Sequence, residues 1–225
     1  NFDEIIVKYY KDQTVALEAF KAGEFDFISI NIAKQWARDM DGKKFSDGLI
    51  VKKTFPHQNN AGIQGFVMNS RRELFQDIRV RKALGLALDF EWTNKSLFHD
   101  QYTRSNSFFS NSYLAATGAP EGLERTYLEA YKDILPAEVF STPLAPTTAA
   151  EPDGMRKNLL EAKKMLGEAG WYIENGSLVN GKGHKFRFDI LLVSPAFERV
   201  MAAYVKKKEK LGIHAEYRAI DPALY

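Results

Sequence analysis

Residues suited to chemistry are sparse and scattered in this chain. Four histidines, His57, His99, His184 and His214, stand far apart, and none forms the His-Glu-x-x-His pattern that lets one helix face hold a metal. There is no cysteine, which excludes a disulfide scaffold, a thiolate metal site and a cysteine nucleophile. No Gly-x-Ser-x-Gly, Walker-type or Gly-x-Gly-x-x-Gly sequence occurs. Gly181-Lys182-Gly183 leads into a predicted strand, so no helix N-terminus follows to receive a phosphate. His99-Asp100 falls at a predicted helix end, where a histidine serves the helix dipole. The basic run Lys206-Lys207-Lys208-Glu209-Lys210 also ends a predicted helix and lacks the aromatic platforms of a nucleic-acid site. The expectation is therefore no metal, no cofactor and no nucleic acid. Recognition chemistry concentrates in one stretch, from Asp100 to Gly122, where Tyr102, Arg104, Asn106, Ser107, Phe108 and Phe109 mix flat apolar faces with hydroxyl, amide and guanidinium groups. Such a mixture suits adaptable polar recognition, and the arginine suits a carboxylate or phosphate.

The surrounding elements read as follows. Asp3–Tyr9 alternates and is rich in Ile and Val, a strand pattern. Asp12 caps a predicted helix with Val15, Ala16, Ala19 and Phe20 inward and Gly23 at its end. Phe25–Ile30 reads as a short strand, and Asn31 opens a helix to about Met40. Leu49–Phe55 and Ile63–Asn69 are further predicted strands, joined by His57-Gln58-Asn59-Asn60. Asp77 and Asp89 cap successive helices, the first with Val80, Leu84 and Leu88 at spacing four. After the long loop come a helix from about Glu124 to Ile134 and a proline-rich connection over Ser141–Pro152. Asp153 then opens a helix with Leu159, Leu160, Met165 and Leu166 inward. Asn175-Gly176 signals a type I′ hairpin between Trp171–Glu174 and Ser177–Val179. A strand (Phe186–Val193), a helix (Pro195–Leu211), Gly212 and a last strand (Ile213–Ile220) complete an α/β order with mixed sheets.

With 225 residues, 45% of them hydrophobic and 27% charged, the chain can bury a sizeable core. A net charge of +2 is too balanced to imply a polyanionic partner or a membrane surface. No apolar run approaches the roughly 20 residues that cross a bilayer. The first residue, Asn1, and the helix start at Asp221-Pro222 just before the last residue, Tyr225, suggest an interior piece of a longer protein. These residues leave a binding module and an enzyme with its site elsewhere both open.

One segment narrows the choice. Phe66-Val67-Met68-Asn69-Ser70, then Phe75-Gln76-Asp77-Ile78-Arg79-Val80-Arg81-Lys82-Ala83-Leu84, and Leu88-Asp89 resemble the signature of the extracellular solute-binding proteins of peptide and nickel ABC importers, family 5. Arg79 and Arg81 lie near a helix start, where the dipole disfavours cations, so specific partners are expected for both. Phe20-Lys21-Ala22-Gly23-Glu24-Phe25-Asp26, Glu168-Ala169-Gly170 and Leu211-Gly212-Ile213 match other family steps, so the resemblance spans the chain. Tyr102-Thr103-Arg104-Ser105-Asn106-Ser107-Phe108-Phe109, Gly118-Ala119-Pro120, Leu135-Pro136-Ala137-Glu138-Val139-Phe140 and Asp153-Gly154-Met155-Arg156-Lys157-Asn158-Leu159 are similar to the Yej-type subgroup. That subgroup is associated with oligopeptide and microcin C uptake in Gram-negative bacteria.

The resemblance implies an α/β fold of the periplasmic binding protein type II kind, two-lobed and closing by hinge motion, of which this chain is mostly one lobe with mixed sheets and helices. Residues 1–58 would be a piece of the first lobe and the crossover, and residues 59–225 most of the second, ligand-binding lobe. It implies a periplasmic monomer without membrane insertion and without bond chemistry. Such a protein captures oligopeptides and hands them to an inner-membrane ABC permease and its ATPase. The implied ligand contacts are Gln64, Phe66, Met68, Asn69, Tyr102, Arg104, Asn106, Ser107 and Phe108, with Arg104 meeting an anionic group, Asn106 and Ser107 the ligand backbone, and Phe108 forming a pocket wall. The residue that would recognise a peptide amino terminus is expected past Tyr225. Rival readings are a stand-alone hydrolase or transferase domain, and the same fold carrying nickel or another small solute.

Overall fold

The computed structural model describes residues 2–141, 145–194 and 197–225. Its backbone falls into two units, residues 1–56 and 57–225.

In the first unit, helix α1 (Gln13–Ala22) begins as its sequence requires. The Asp12 carboxylate accepts from the amides of Thr14 at 2.7 Å and Val15 at 3.1 Å, and Gly23 closes the helix at φ 90°. Its buried residues are Leu17 and Ala19, whereas Val15, expected inward, is exposed. The helix expected from Asn31 is short and ends in a π-helical turn, Gln35–Asp39. A one-turn helix, α2 (Lys43–Ser46), follows.

None of the four strands predicted before residue 70 forms. The segments 3–9, 25–30, 49–55 and 63–69 have no regular secondary structure and belong to no ladder among the described residues. Alternation only prepares a strand; the backbone N–H and C=O groups still need a paired neighbour. Ile5, Ile6 and Val7 accordingly stand in solvent, as do Val51 and Phe55.

The second unit carries the larger core. Helix α3 (Ile78–Leu86) packs against α6 (Gly154–Glu168), with Val80, Ala83, Leu84, Ala162 and Leu166 almost fully enclosed. Leu160, expected inward on α6, is exposed. Strands β1 (Trp171–Glu174) and β2 (Ser177–Asn180) form the antiparallel hairpin that Asn175-Gly176 predicts, both turn residues having positive φ. Strands β3 (Arg187–Leu192) and β4 (His214–Ala219) pair in parallel, Arg187 opposite His214, with α7 (Glu198–Glu209) between them in the chain. The sheets are thus mixed in sense, one antiparallel pair and one parallel pair among the described residues. Phe75, Phe186 and Phe188 join them to the helices, the ring pairs meeting edge to face. The predicted start of α7 at Pro195 lies outside the described residues.

The two signature arginines have the specific partners their positions demand. Arg79 pairs with the cap Asp77 at 2.6 Å and donates to the Glu168 carbonyl at the end of α6 at 2.7 Å. It thereby ties two helix termini together. Arg81 donates to the carbonyls of Phe75 and Gln76, both at 2.7 Å.

Candidate functional site

Helix α4 (Phe90–Leu97) carries the wall against which the long loop is built. Asp89 caps it through the Trp92 amide and binds Lys207 of α7 at 3.0 Å. Glu91 accepts from the Thr148 hydroxyl at 2.6 Å and the Ala149 amide at 3.1 Å. Burial alone would raise the Glu91 carboxyl; these bonds outweigh it and hold the group below the usual range.

The loop from residue 100 to 121 has no regular element but is pinned at several points. Asn94 clamps Tyr102 by both its amide (3.1 Å) and its carbonyl (2.8 Å), and the Tyr102 ring lies on Phe98. Ser107 is buried, and its hydroxyl accepts from the amides of Phe109 and Ala116, each at 3.1 Å. Asn111, at φ 68°, donates to the carbonyls of His57 and Asn59, both at 2.9 Å. The two Ser107 bonds use its oxygen as acceptor, so this oxygen helps to hold the loop. Asn106 and Phe108 project into solvent, Phe108 at 69% exposure.

Arg104 stands between these pins, partly buried. Its guanidinium lies 5.5 Å from the centre of the Phe90 ring, and its Nε is enclosed with no hydrogen-bond acceptor among the described residues. The acids of the neighbouring α4 turn, Asp89 and Glu91, are already engaged as described. No carboxylate among the described residues pairs with Arg104.

The segment 63–69 alternates. Gln64, Val67 and Asn69 face solvent; Phe66 and Met68 turn inward. Met68 packs on the core, and Phe66 stacks on Tyr204 of α7 at 4.3 Å with the rings 16° apart. Asn69 also accepts from the Arg71 amide at 3.1 Å. Tyr204 is buried and donates to the Leu84 carbonyl at 3.1 Å. Burial pushes its phenol well above the ordinary value, against the pull of the nearby Arg104 charge. The nine expected contacts thus differ in exposure: Gln64, Asn69, Asn106 and Phe108 are exposed, Phe66, Met68, Tyr102 and Arg104 are partly buried, and Ser107 is buried.

One residue escaped the sequence reading. Lys208 belongs to the basic run that ends α7, yet its side chain is completely buried against Tyr204, and its Nζ has no hydrogen-bond partner among the described residues. The signal was present: Val200, Tyr204 and Lys208 are spaced by four and share the buried stripe of α7. No group of three or more metal-ligating side chains occurs among the described residues.

Comparison with known proteins gives a consistent result. The family model for bacterial extracellular solute-binding proteins, family 5 (middle), matches residues 1–225. An uncharacterized protein, y4wM of Sinorhizobium fredii, is 40% identical over the whole chain, which spans 34% of that protein. A probable peptide-binding protein, YejA of Agrobacterium fabrum, is 37% identical over the whole chain, which spans 37% of it. Among solved structures, the oligopeptide-binding protein AppA of Bacillus subtilis in complex with a nonapeptide superposes with a TM-score of 0.61 at 19% identity, over 95% of this chain and 35% of that one. That likeness establishes the periplasmic binding protein fold. The chain spans about a third of the length of these relatives.

Proposed function

Because the chain belongs to family 5 of the bacterial extracellular solute-binding proteins, a family of binding proteins rather than enzymes, we propose that it forms part of a receptor that captures oligopeptides outside the inner membrane and delivers them to an ABC permease. Residues 59–225 supply most of one ligand-binding lobe, and residues 1–58 a piece of the other lobe with the crossover. No helix among the described residues is long and apolar enough to cross a membrane, in keeping with a receptor of the periplasm. Peptides, including peptide antibiotics of the microcin C kind, are the ligand class that the Yej-type resemblance favours.

The observation that carries this reading is Arg104, a cation without a protein acceptor at its enclosed Nε, set in a loop pinned on both sides. An uncompensated guanidinium in a partly apolar setting draws an anionic group of the ligand. Gln64, Asn69 and Asn106 supply amides for ligand backbone, and Phe108 a flat apolar wall. Broad peptide tolerance follows when backbone groups and a terminus, rather than side chains, are held. The test is titration of the full-length protein with a short-peptide mixture by calorimetry, together with mass spectrometry of material that co-purifies. Saturable heat that is lost in Arg104→Met is the expected result. Absence of both heat and co-purifying peptide overturns the reading, and binding of nickel alone would favour the small-solute rival.

A further inference from the structure

Segment 64–69 is held to its lobe chiefly by two inward side chains, Met68 and Phe66. Phe66 rests on a single ring, Tyr204, which is itself fixed by its bond to the Leu84 carbonyl. Behind this anchor lies Lys208. Its amine has no hydrogen-bond partner and no carboxylate within 4.0 Å among the described residues, and it lies against the Tyr204 ring. Burial therefore strongly disfavours the protonated form in the packed state.

The neighbouring charges do not relieve it. On α7 itself, Lys207 is paired with Asp89, the cap of α4. On α4, Glu91 is engaged with the Thr148 hydroxyl and the Ala149 amide. On β4, Glu216 is shared between His214 and Arg187, and Arg218 leans toward Asp189 of β3, all on the exposed side of the sheet. Arg104, whose charge is felt at Tyr204, adds a cation rather than an acceptor. A lysine in such a place is neutral while packed and can regain its proton only by leaving the ring face or admitting water.

We propose that Lys208 is a proton-operated release for Phe66: gaining a proton in acid, it leaves the Tyr204 ring, loosens the Phe66 stack and frees the segment that presents Gln64 and Asn69. Lys208 and Tyr204 are thus positioning residues for that segment. The consequence for ligand, weaker capture at low pH, rests on the proposed function; the release itself does not. The direction follows from linkage. The opened form binds the proton that the packed form refuses, so falling pH favours opening.

The experiment is hydrogen exchange by mass spectrometry on the full-length protein without ligand, from about pH 9 to about pH 5 and corrected for intrinsic exchange, comparing wild type with Lys208→Met. In wild type, protection of residues 63–69 and of the end of α7 falls by roughly tenfold or more toward acid. In Lys208→Met, which keeps the volume and loses the proton, protection is flat. Contributions common to both proteins, the histidines included, cancel. Tyr204→Phe keeps the stack but loses the Leu84 bond, so its protection is lower throughout with the pH slope retained. Equal slopes in wild type and Lys208→Met, or a wild-type profile without slope, overturn the proposal. Calorimetry with the peptide mixture at both ends of the range is a separate arm. If the exchange result holds and no peptide binds, the release stands and the peptide reading falls.

Discussion

Asp3–Tyr9 and Arg187–Leu192 carry the same kind of pattern, an alternating segment rich in branched apolar residues, and end in opposite states. The second is β3, laddered to β4 with Phe188 buried beneath it. The first has no regular structure and no strand partner among the described residues, with Ile5 78% and Ile6 73% exposed. What differs is the neighbourhood. Strand β3 is followed by a helix that brings a second strand back beside it, so its backbone groups are satisfied within one connected unit. The early segment is followed by α1 and by chain that forms no ladder with it among the described residues. Apolar alternation is therefore a necessary local condition for a strand, and pairing is the sufficient one.

The sharpest way to break this contrast is by truncating side chains on each side of it. Leu84→Ala, inside the second unit at 1% exposure, is expected to cost about 3 kcal/mol in chemical denaturation, the usual price of a leucine-sized core cavity. Ile6→Ala in the same chain should stay within about 0.5 kcal/mol. A cost for Ile6→Ala close to that of Leu84→Ala would show that the early segment is covered in solution and that the contrast is false.

Glycines give the next test. Gly212 has φ 72°, and an added Cβ would lie 2.6 Å from Ile173 Cδ1 and 2.8 Å from the Leu178 amide nitrogen. Gly212→Ala should lower stability by about 3 kcal/mol, combining left-handed strain with overpacking. Gly48 has a similar φ of 75° but open space around it. Gly48→Ala should lose about 1 kcal/mol, the backbone strain alone. Equal losses at the two positions would mean that packing around the β1–β2 hairpin is looser than it is drawn.

The smallest expected effect concerns the two helix caps. Bonds from the Arg79 side chain and amide hold the Asp77 carboxyl below the ordinary value, and amide bonds from Val15 and Thr14 do the same for Asp12. A depressed carboxylate stabilises the fold above its unfolded-state value, near pH 4, and that contribution is lost as pH falls through the lower folded value. Asp77→Ala should therefore cost about 1 kcal/mol at neutral pH and nothing extra in strong acid. Asp12→Ala should follow the same acid profile in the first unit. Thermal melts from neutral pH into acid would read both, and a loss independent of pH at Asp77 would leave the cap without an electrostatic role.

Much of the fold was legible because its signals are local. A capping aspartate, an Asn-Gly turn and a glycine at a helix end act within four or five residues, so Asp77, Asn175-Gly176 and Gly212 read directly as structure. The signature from Phe66 to Asp89 likewise named the family, and the roles of Arg79 and Arg81 followed from their place beside a helix dipole. The site was legible only in part. Sequence marked the irregular loop and its arginine as candidates, but not that the Ser107 oxygen accepts from two of the loop's own amides. Nor did it single out Lys208, because composition groups that residue with its lysine neighbours although helical spacing groups it with Val200 and Tyr204.

By itself, then, the sequence determined the capped helices, the hairpin and the family, since each depends on short-range geometry or on a contiguous motif. Only the tertiary structure decided which alternating segments become strands, which polar side chains remain free, and which lysine is stripped of water. Those outcomes depend on what distant parts of the chain place against each group, and local residue order does not encode that directly.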